Sequence, residues 1–153
     1  MKAMILAAGR GERMRPLTDA CPKPLLEVRG RPLIVWHILN LVRAGIADIV
    51  INHSYLGHMI EEALGDGSQF GIDLQYAEQP SPDGLAQAFL IGESFIGDDS
   101  VCLILGDNIF HGQHFTEKLL RAATHNSGAT VFGYWVSDPE RFGVVEFDAR
   151  SEE

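Results

Sequence analysis

The chain has 153 residues, 46% hydrophobic and 22% charged, with 12 basic groups against 21 acids and a net charge of −9. A length of 153 residues suits one domain spanning the whole chain, able to bury roughly 70% of its extended surface. Such a composition excludes a disordered chain, a collagen and a coiled coil, and the acidic total argues against nucleic acid as a partner.

Lys2 to Ala7 is a short apolar run and predicts a buried strand. Ala8 to Ala20, rich in glycine and arginine, reads as a loop. Pro32 to Ala44 predicts a helix: Ile34, Ile38, Leu41 and Val42 share a face, Pro32 suits the first turn and Gly45 the stop. A strand over Asp48–His53 precedes a helix from Leu56 to Leu64, closed by Gly65. After the turn Gly65-Asp66-Gly67-Ser68 come a strand over Ile72–Ala77, a loop through Pro80 and Pro82, and a helix from Gly84 to Phe95. Val101–Leu105 reads as a buried strand, Phe115–His125 as a helix, and Ala129–Val136 and Val144–Phe147 as strands joined through Asp138-Pro139. Alternating strands and helices predict an α/β fold: a Rossmann-like, mostly parallel sheet with helices on both faces. Ligands of such sheets sit outside the carboxyl ends of the strands, which here carry the loops Ala8–Lys23, Gln79–Gly84 and Gly106–Asn108.

Charge points to the same edge. Residues 1–31 hold seven basic groups (Lys2, Arg10, Arg13, Arg15, Lys23, Arg29, Arg31) against three acids (Glu12, Asp19, Glu27). A basic loop in an acidic protein predicts a small anionic ligand. No apolar run approaches the ~20 residues of a membrane helix. The stretch Ala3–Ala8 is short for a signal-peptide core and leads into arginines. Cys21 and Cys102 are too few for a disulfide scaffold or a zinc site of thiolates. Together these predict a cytoplasmic protein without a membrane partner.

The first loop reads Leu6-Ala7-Ala8-Gly9-Arg10-Gly11-Glu12-Arg13-Met14-Arg15-Pro16, with Pro22-Lys23-Pro24-Leu25 after it. Glycines let backbone N–H groups approach a phosphate, Arg13 can fork two oxygens and Lys23 adds a compact charge. No Gly-Lys-Ser/Thr follows, so the loop is not a Walker A motif. Met14 stands where the dinucleotide fingerprint needs its third glycine.

With those residues in place, the string resembles the signature of sugar-1-phosphate nucleotidyltransferases. Residues 1–65 are most similar to the branches acting on N-acetylmuramate 1-phosphate or mannose 1-phosphate. Residues 65–148 resemble the glucose-1-phosphate thymidylyltransferase branch through Gln79-Pro80-Ser81-Pro82-Asp83-Gly84-Leu85-Ala86-Gln87-Ala88, Leu105-Gly106-Asp107-Asn108 and Asp138-Pro139-Glu140-Arg141-Phe142-Gly143-Val144. Thymidylyltransferases usually carry Gly-Gly-Ser-Gly-Thr-Arg and Ser-Lys-Gln where this chain has Ala8–Arg13 and Pro22-Lys23-Pro24. The pattern is that of a chimera joined near Gly65–Ser68.

The resemblance implies the nucleotide-diphospho-sugar transferase fold and an enzyme moving a nucleotidyl group from dTTP, or from UTP, to a sugar 1-phosphate. It assigns the nucleotide to Leu6, Ala8, Gly9, Gly11 and Arg13 on the first loop. Gln79 and Gly84 read the pyrimidine, and Asp107 completes that site. Arg13 and Lys23 take catalytic roles, Asp107 binds Mg2+ and Gly143 touches the sugar. A glutamine amide offers donor and acceptor together, matching the N3–H and carbonyl edge of thymine or uracil. His111 and His114 have a metal-binding spacing, but the family has an aromatic where His111 stands, so that ring is read as facing sugar or solvent. Trp36 and Trp135 read as core, Glu61 and Glu62 as a solvated helix face. The family continues with a Glu-Glu-Lys-Pro segment and a later metal-binding aspartate. The expectation is therefore a domain incomplete at its C-terminus, with weak turnover and an edge near Val144–Phe147 that favours a homo-oligomer.

Overall fold

The computed structural model describes residues 1–81, 83–110, 114–125, 128–141 and 143–146. Strand β1 (Lys2–Ala7) is its axis, hydrogen-bonded in parallel to β4 (Asp48–His53) on one side and β6 (Val101–Leu105) on the other. Strand β5 (Asp73–Glu78) joins β4, also in parallel, giving the order β5-β4-β1-β6. Ala3, Met4 and Ile5 have no exposed surface, as expected of a strand covered on both faces, whose sequence is continuously apolar rather than alternating. After β1 the chain adds strands to one side, then crosses to place β6 on the other. That reversal opens a crevice between the carboxyl ends of β1 and β6.

Helices cover both faces, as the sequence predicts. Helices α1 (Leu33–Arg43), α2 (Gly57–Leu64) and α5 (Phe115–Ala123) supply Ile34, Ile38, Leu41, Ile60, Leu64 and Leu119 to a core with Ile5, Ile49 and Ile51. On the opposite face α3 (Leu85–Ile91) and α4 (Glu93–Ile96) bring Ala88, Phe95 and Ile96 against Met4 and Val50. Burying each large aliphatic side chain contributes about 1.5–3 kcal/mol against leaving it in water. Helix α1 stops as expected: Gly45 takes a φ of 76° and the Ile46 N–H donates back to the Leu41 carbonyl at 3.0 Å. No helix among the described residues is long and apolar enough to cross a membrane.

Five expectations change. The helix predicted from Gly84 to Phe95 is two helices meeting at Gly92, where a side chain would stand 2.6 Å from Met4 Cε; the backbone turns there to lie against the sheet. No strand forms over residues 129–136 or 144–146, and Phe147 lies outside the described residues. A strand needs a ladder partner, and among the described residues β6 pairs with β1 alone. Trp135 is accordingly 98% exposed rather than core. Trp36 is half-buried: its indole N–H donates to the Val28 carbonyl at 2.9 Å while the Arg31 guanidinium lies over its ring. It packs on a short hairpin, β2 (Glu27–Val28) and β3 (Arg31–Pro32), that the sequence analysis leaves unassigned. Glu61 accepts from His53 Nε2 at 2.7 Å and so ties α2 to the end of β4, while Glu62 is exposed as expected.

Candidate active site

The glycine loop leaves β1 at Ala7 and turns back at Gly11. Gly11 has a φ of 66°, and a side chain there would press on Thr18 Cγ2 at 2.8 Å and Lys23 Cβ at 3.3 Å. Both the backbone angle and the lack of space require glycine. The fully buried Thr18 donates its hydroxyl to the Gly11 carbonyl at 2.9 Å and so pins the loop from beneath. Glu12–Met14 form one helical turn that leaves Arg13 exposed at the loop tip. Arg15 pairs with Asp19 at 3.3 Å, and Arg10 lies over the Tyr55 ring. Arg13 shares the cavity wall with Gly9 and Gly11, while the flanking arginines are engaged elsewhere.

Across the crevice, the Gly106 N–H donates to the Leu6 carbonyl at 2.8 Å, which continues the β1–β6 ladder one residue past the strand. Asp107 follows and meets Lys23: Nζ and Oδ2 are 2.9 Å apart, with the two side chains 27% and 51% exposed. The lysine expected at phosphate and the carboxylate expected at metal therefore face one another across the crevice. Its walls, enclosing about 490 Å³, include Leu6, Gly9, Gly11, Arg13, Lys23, Leu85 and Asp107. Ala8, Gln79, Gly84 and Gly143 are not among them.

Gln79 and Gly84 occupy the neighbouring part of the same edge. The Gln79 N–H donates to the His53 carbonyl at 2.7 Å, extending the β4–β5 ladder, and the residue is only 2% exposed. Its Nε2 donates to Gln87 Oε1 at 2.7 Å, while its Oε1 has no partner among the described residues. Gly84 caps α3 with a φ of 99°. Gly143 is exposed, and a side chain there would meet nothing within 4 Å. His111 and Phe142 lie outside the described residues; His114 pairs with Glu117 at 2.9 Å on the surface.

Three polar residues at this edge escape the sequence analysis. His37, buried under the Gly106–Asp107 turn, is held below the ordinary histidine range by desolvation, opposed by a hydrogen bond to the Gly106 backbone and by the Asp107 charge. It lines a second cavity of about 510 Å³ with Trp36 and Phe110 on the far side of α1. Asn52, next to last in β4, has no exposed surface and no partner for its amide among the described residues. Thr18 is the third. Their only signal in the sequence is polarity beside apolar runs, which does not separate them from surface residues.

No group of three or more His, Cys, Asp or Glu side chains gathers to hold a metal ion among the described residues. A single half-exposed carboxylate facing a phosphate-type loop nonetheless fits magnesium, which takes one or two carboxylates and fills its shell with phosphate oxygens and water.

The comparisons with known proteins agree with this fold. The nucleotidyl transferase family matches residues 2–153, and the chain belongs to that family. More narrowly, it is 60% identical over 149 residues to a glucose-1-phosphate thymidylyltransferase of Neisseria gonorrhoeae, covering 97% of this chain and 52% of that one. It is 53% identical over 148 residues to the enzyme of the same name from Xanthomonas campestris, covering 96% and 50%. The chain thus spans about half the length of these curated relatives. A Bacillus anthracis protein described as a glucose-1-phosphate thymidylyltransferase and solved with sucrose superposes with a TM-score of 0.86 at 37% identity, covering 99% of this chain and 61% of that one. A UDP-glucose pyrophosphorylase bound to UDP-glucose shares the fold more distantly, at a TM-score of 0.65 and 26% identity over 80% of this chain and 52% of that one.

Proposed function

We propose that the chain serves the transfer of a thymidylyl group from dTTP to a sugar 1-phosphate, glucose 1-phosphate first among them, releasing pyrophosphate. The observation that carries this reading is the pairing of two unlike subsites on one sheet edge. One is a cationic glycine loop opposite Asp107; the other is a buried amide, Gln79, whose carbonyl is unpartnered. The first suits a triphosphate and the second the edge of a pyrimidine. The names of the relatives above point the same way.

In this reaction a phosphate oxygen of the sugar 1-phosphate attacks the α-phosphorus of dTTP. The bond from that phosphorus to the bridging oxygen of the β-phosphate breaks, and its electron pair leaves with pyrophosphate. The nucleophile is already an anion, so no side chain need remove a proton. The protein's task is in-line positioning and charge neutralisation. Arg13 and the loop N–H groups hold the triphosphate, Lys23 turns from Asp107 to a phosphate oxygen, and Gln79 and Gly84 hold the base. Asp107 would carry magnesium, which when bound supplies further positive charge to the phosphates. Gly143 is assigned to the sugar, where backbone alone can approach. Cys21 and Cys102, both free thiols, fit a reducing compartment such as the cytoplasm.

The test is pyrophosphate release from Mg-dTTP and Mg-UTP across a panel of sugar 1-phosphates. Sugar-dependent release supports the reading, and UTP should compete closely, since Gln79 meets the same edge in both bases. Tight nucleotide binding without any sugar-dependent release would overturn transfer as this chain's activity. One observation favours that second reading, a nucleotide-binding unit with little turnover of its own: Val131, Phe132, Tyr134, Trp135, Val144 and Val145 are between 41% and 98% exposed. Apolar side chains left this exposed suit a face that another surface covers.

A further inference from the structure

Asp83, Gln87 and Gln79 form a chain of hydrogen bonds whose direction is determined at one end. Gln87 stands in the first turn of α3. Its Nε2 donates to Asp83 Oδ2 at 3.0 Å, and its Oε1 receives the Asp83 backbone N–H at 3.3 Å, a proton shared with the Ser81 carbonyl. A carboxylate only accepts and a backbone N–H only donates. Asp83 therefore fixes which end of the Gln87 amide is nitrogen and which is oxygen, independently of how amides are ordinarily assigned. Ser81 adds a weaker contact to Gln87 Nε2 at 3.4 Å and bonds the Asp83 carboxylate through its own hydroxyl.

The consequence passes to Gln79. Gln87 Oε1 accepts from Gln79 Nε2 at 2.7 Å. Turning the Gln79 amide over would set two carbonyl oxygens against each other at a residue that is 2% exposed, where such repulsion is costly. Gln79 is thereby held with Oε1 unpartnered, and with one of its two amide protons uncommitted, since a single hydrogen bond to Gln87 takes only one. Gln79 thus presents Oε1, an acceptor, in a definite direction.

Resting on the reading of Gln79 as the base contact, we propose that Gln87 and Asp83 are positioning residues that set the polarity of the Gln79 amide and so select pyrimidines carrying an N3–H. Thymine and uracil present a donor at N3 and an acceptor at position 4. Cytosine presents an acceptor at N3 and a donor at position 4, the inverse pattern. For a base in one pose, an amide locked one way accepts the first pair and opposes the second. A freely turning amide would serve both. Discrimination between thymine and cytosine thus lives in a residue that never touches the base.

The experiment is calorimetric titration of the full chain with Mg-dTTP and Mg-dCTP, read as the ratio of the two affinities. Both ligands carry the same phosphates and deoxyribose, so losses at the phosphate loop cancel in the ratio. The parent chain should favour dTTP, and Gln87→Leu, which removes the acceptor facing Gln79, should shrink that preference about ten-fold. Gln87→Glu combined with Asp83→Asn, which returns a donor to face the new carboxylate, keeps an oxygen toward Gln79 and should retain most of the preference. Gln87→Lys, able to pair with Asp83 while offering only donors to Gln79, should shift the ratio furthest toward dCTP. An unchanged ratio in Gln87→Leu, alongside a lost preference in Gln79→Ala, would overturn the relay and leave Gln79 as the reader. An unchanged ratio in Gln79→Ala would remove the base-reading assignment itself and the proposal with it.

Discussion

The crevice and the neighbouring amide cluster on the same sheet edge are built by opposite means. In the crevice, proposed for phosphate, the groups are full charges on long side chains, half in solvent: Lys23 and Asp107 meet at 2.9 Å with 27% and 51% of their surface exposed. In the cluster, proposed for the base, the groups are neutral amides, and Gln79 is almost wholly buried within a directed network. Exposure allows the charged end to exchange partners cheaply, because water and salt screen what is broken and made. Burial makes the amide end costly to rearrange and therefore selective. Strength of attraction and selectivity are divided between the two regions.

Turnover should separate them most widely. Lys23→Ala is expected to lower the rate of pyrophosphate release roughly 10²–10³-fold, the usual cost of one preorganised donor at a developing charge. The dTTP-to-dCTP preference should stay as it was. A parallel collapse of that preference would show that the two ends are not separate.

Next in size is Gln79→Ala, expected to weaken dTTP binding by about 1–3 kcal/mol because a buried base edge loses its partner. The deficit should be nearly the same at low and high salt in a titration series, in contrast to any loss at the lysine. A salt-sensitive deficit would place charge where the structure has only amides.

Asp107→Asn should have a smaller and two-sided effect. It removes the carboxylate proposed to hold magnesium, so nucleotide binding should lose its magnesium dependence. It also releases Lys23 from a pair worth about 0.2–1 kcal/mol, so pyrophosphate without metal should bind up to about five-fold tighter than to the parent chain. Calorimetry with pyrophosphate and a chelator checks this, and weaker metal-free binding would mean that Lys23 gains nothing from its release.

The smallest effect belongs to the strand that carries Gln79. Tyr76 donates its hydroxyl to the Gly65 carbonyl at 2.6 Å, and burial, with Glu61 and Asp66 adding to it, pushes its pKa up to about 12 from 10.0. The folded chain then holds this proton between pH 10 and 12 where the unfolded chain has released it. Its contribution is full below pH 10 and fades as pH rises through that window. Tyr76→Phe should flatten the alkaline fall in Tm above pH 10 and remove one high-pH step from the tyrosine absorbance titration. Unchanged behaviour above pH 10 would remove Tyr76 as the source.

Much of this arrangement is legible in the sequence, and the boundary between legible and not is physical. Strands Lys2–Ala7 and Asp48–His53 coincide with their apolar runs because a strand buried on both faces has little other way to be written, and Val101–Leu105 coincides with its run although only Ile104 in it is buried. The three loops at the carboxyl edge follow from that alternation. Residues 129–136 carry the composition of a strand yet form none, because composition states a preference and pairing is settled elsewhere in the chain. The Lys23–Asp107 contact joins positions 84 residues apart, which no local pattern encodes. Gln79 is marked by its flanking string, whereas Gln87 reads as an ordinary helix residue until its two contacts with Asp83 are seen.

The position of β6 beside β1 has a consequence for how the molecule folds. Residues 1–81 already contain three of the four parallel strands, but the crevice does not exist until β6 docks and brings Asp107 to the loop that follows β1. Closing so long a segment costs chain entropy before any contact repays it, so this step belongs late and slow in folding. On the proposed reading, a metal–nucleotide complex bridging both loops would bind only the molecule in which the step is complete. By mass action, such a ligand at a hundred times its dissociation constant would add about 2.7 kcal/mol to stability. Substrate supply would then govern how much of the chain survives as well as how fast it works.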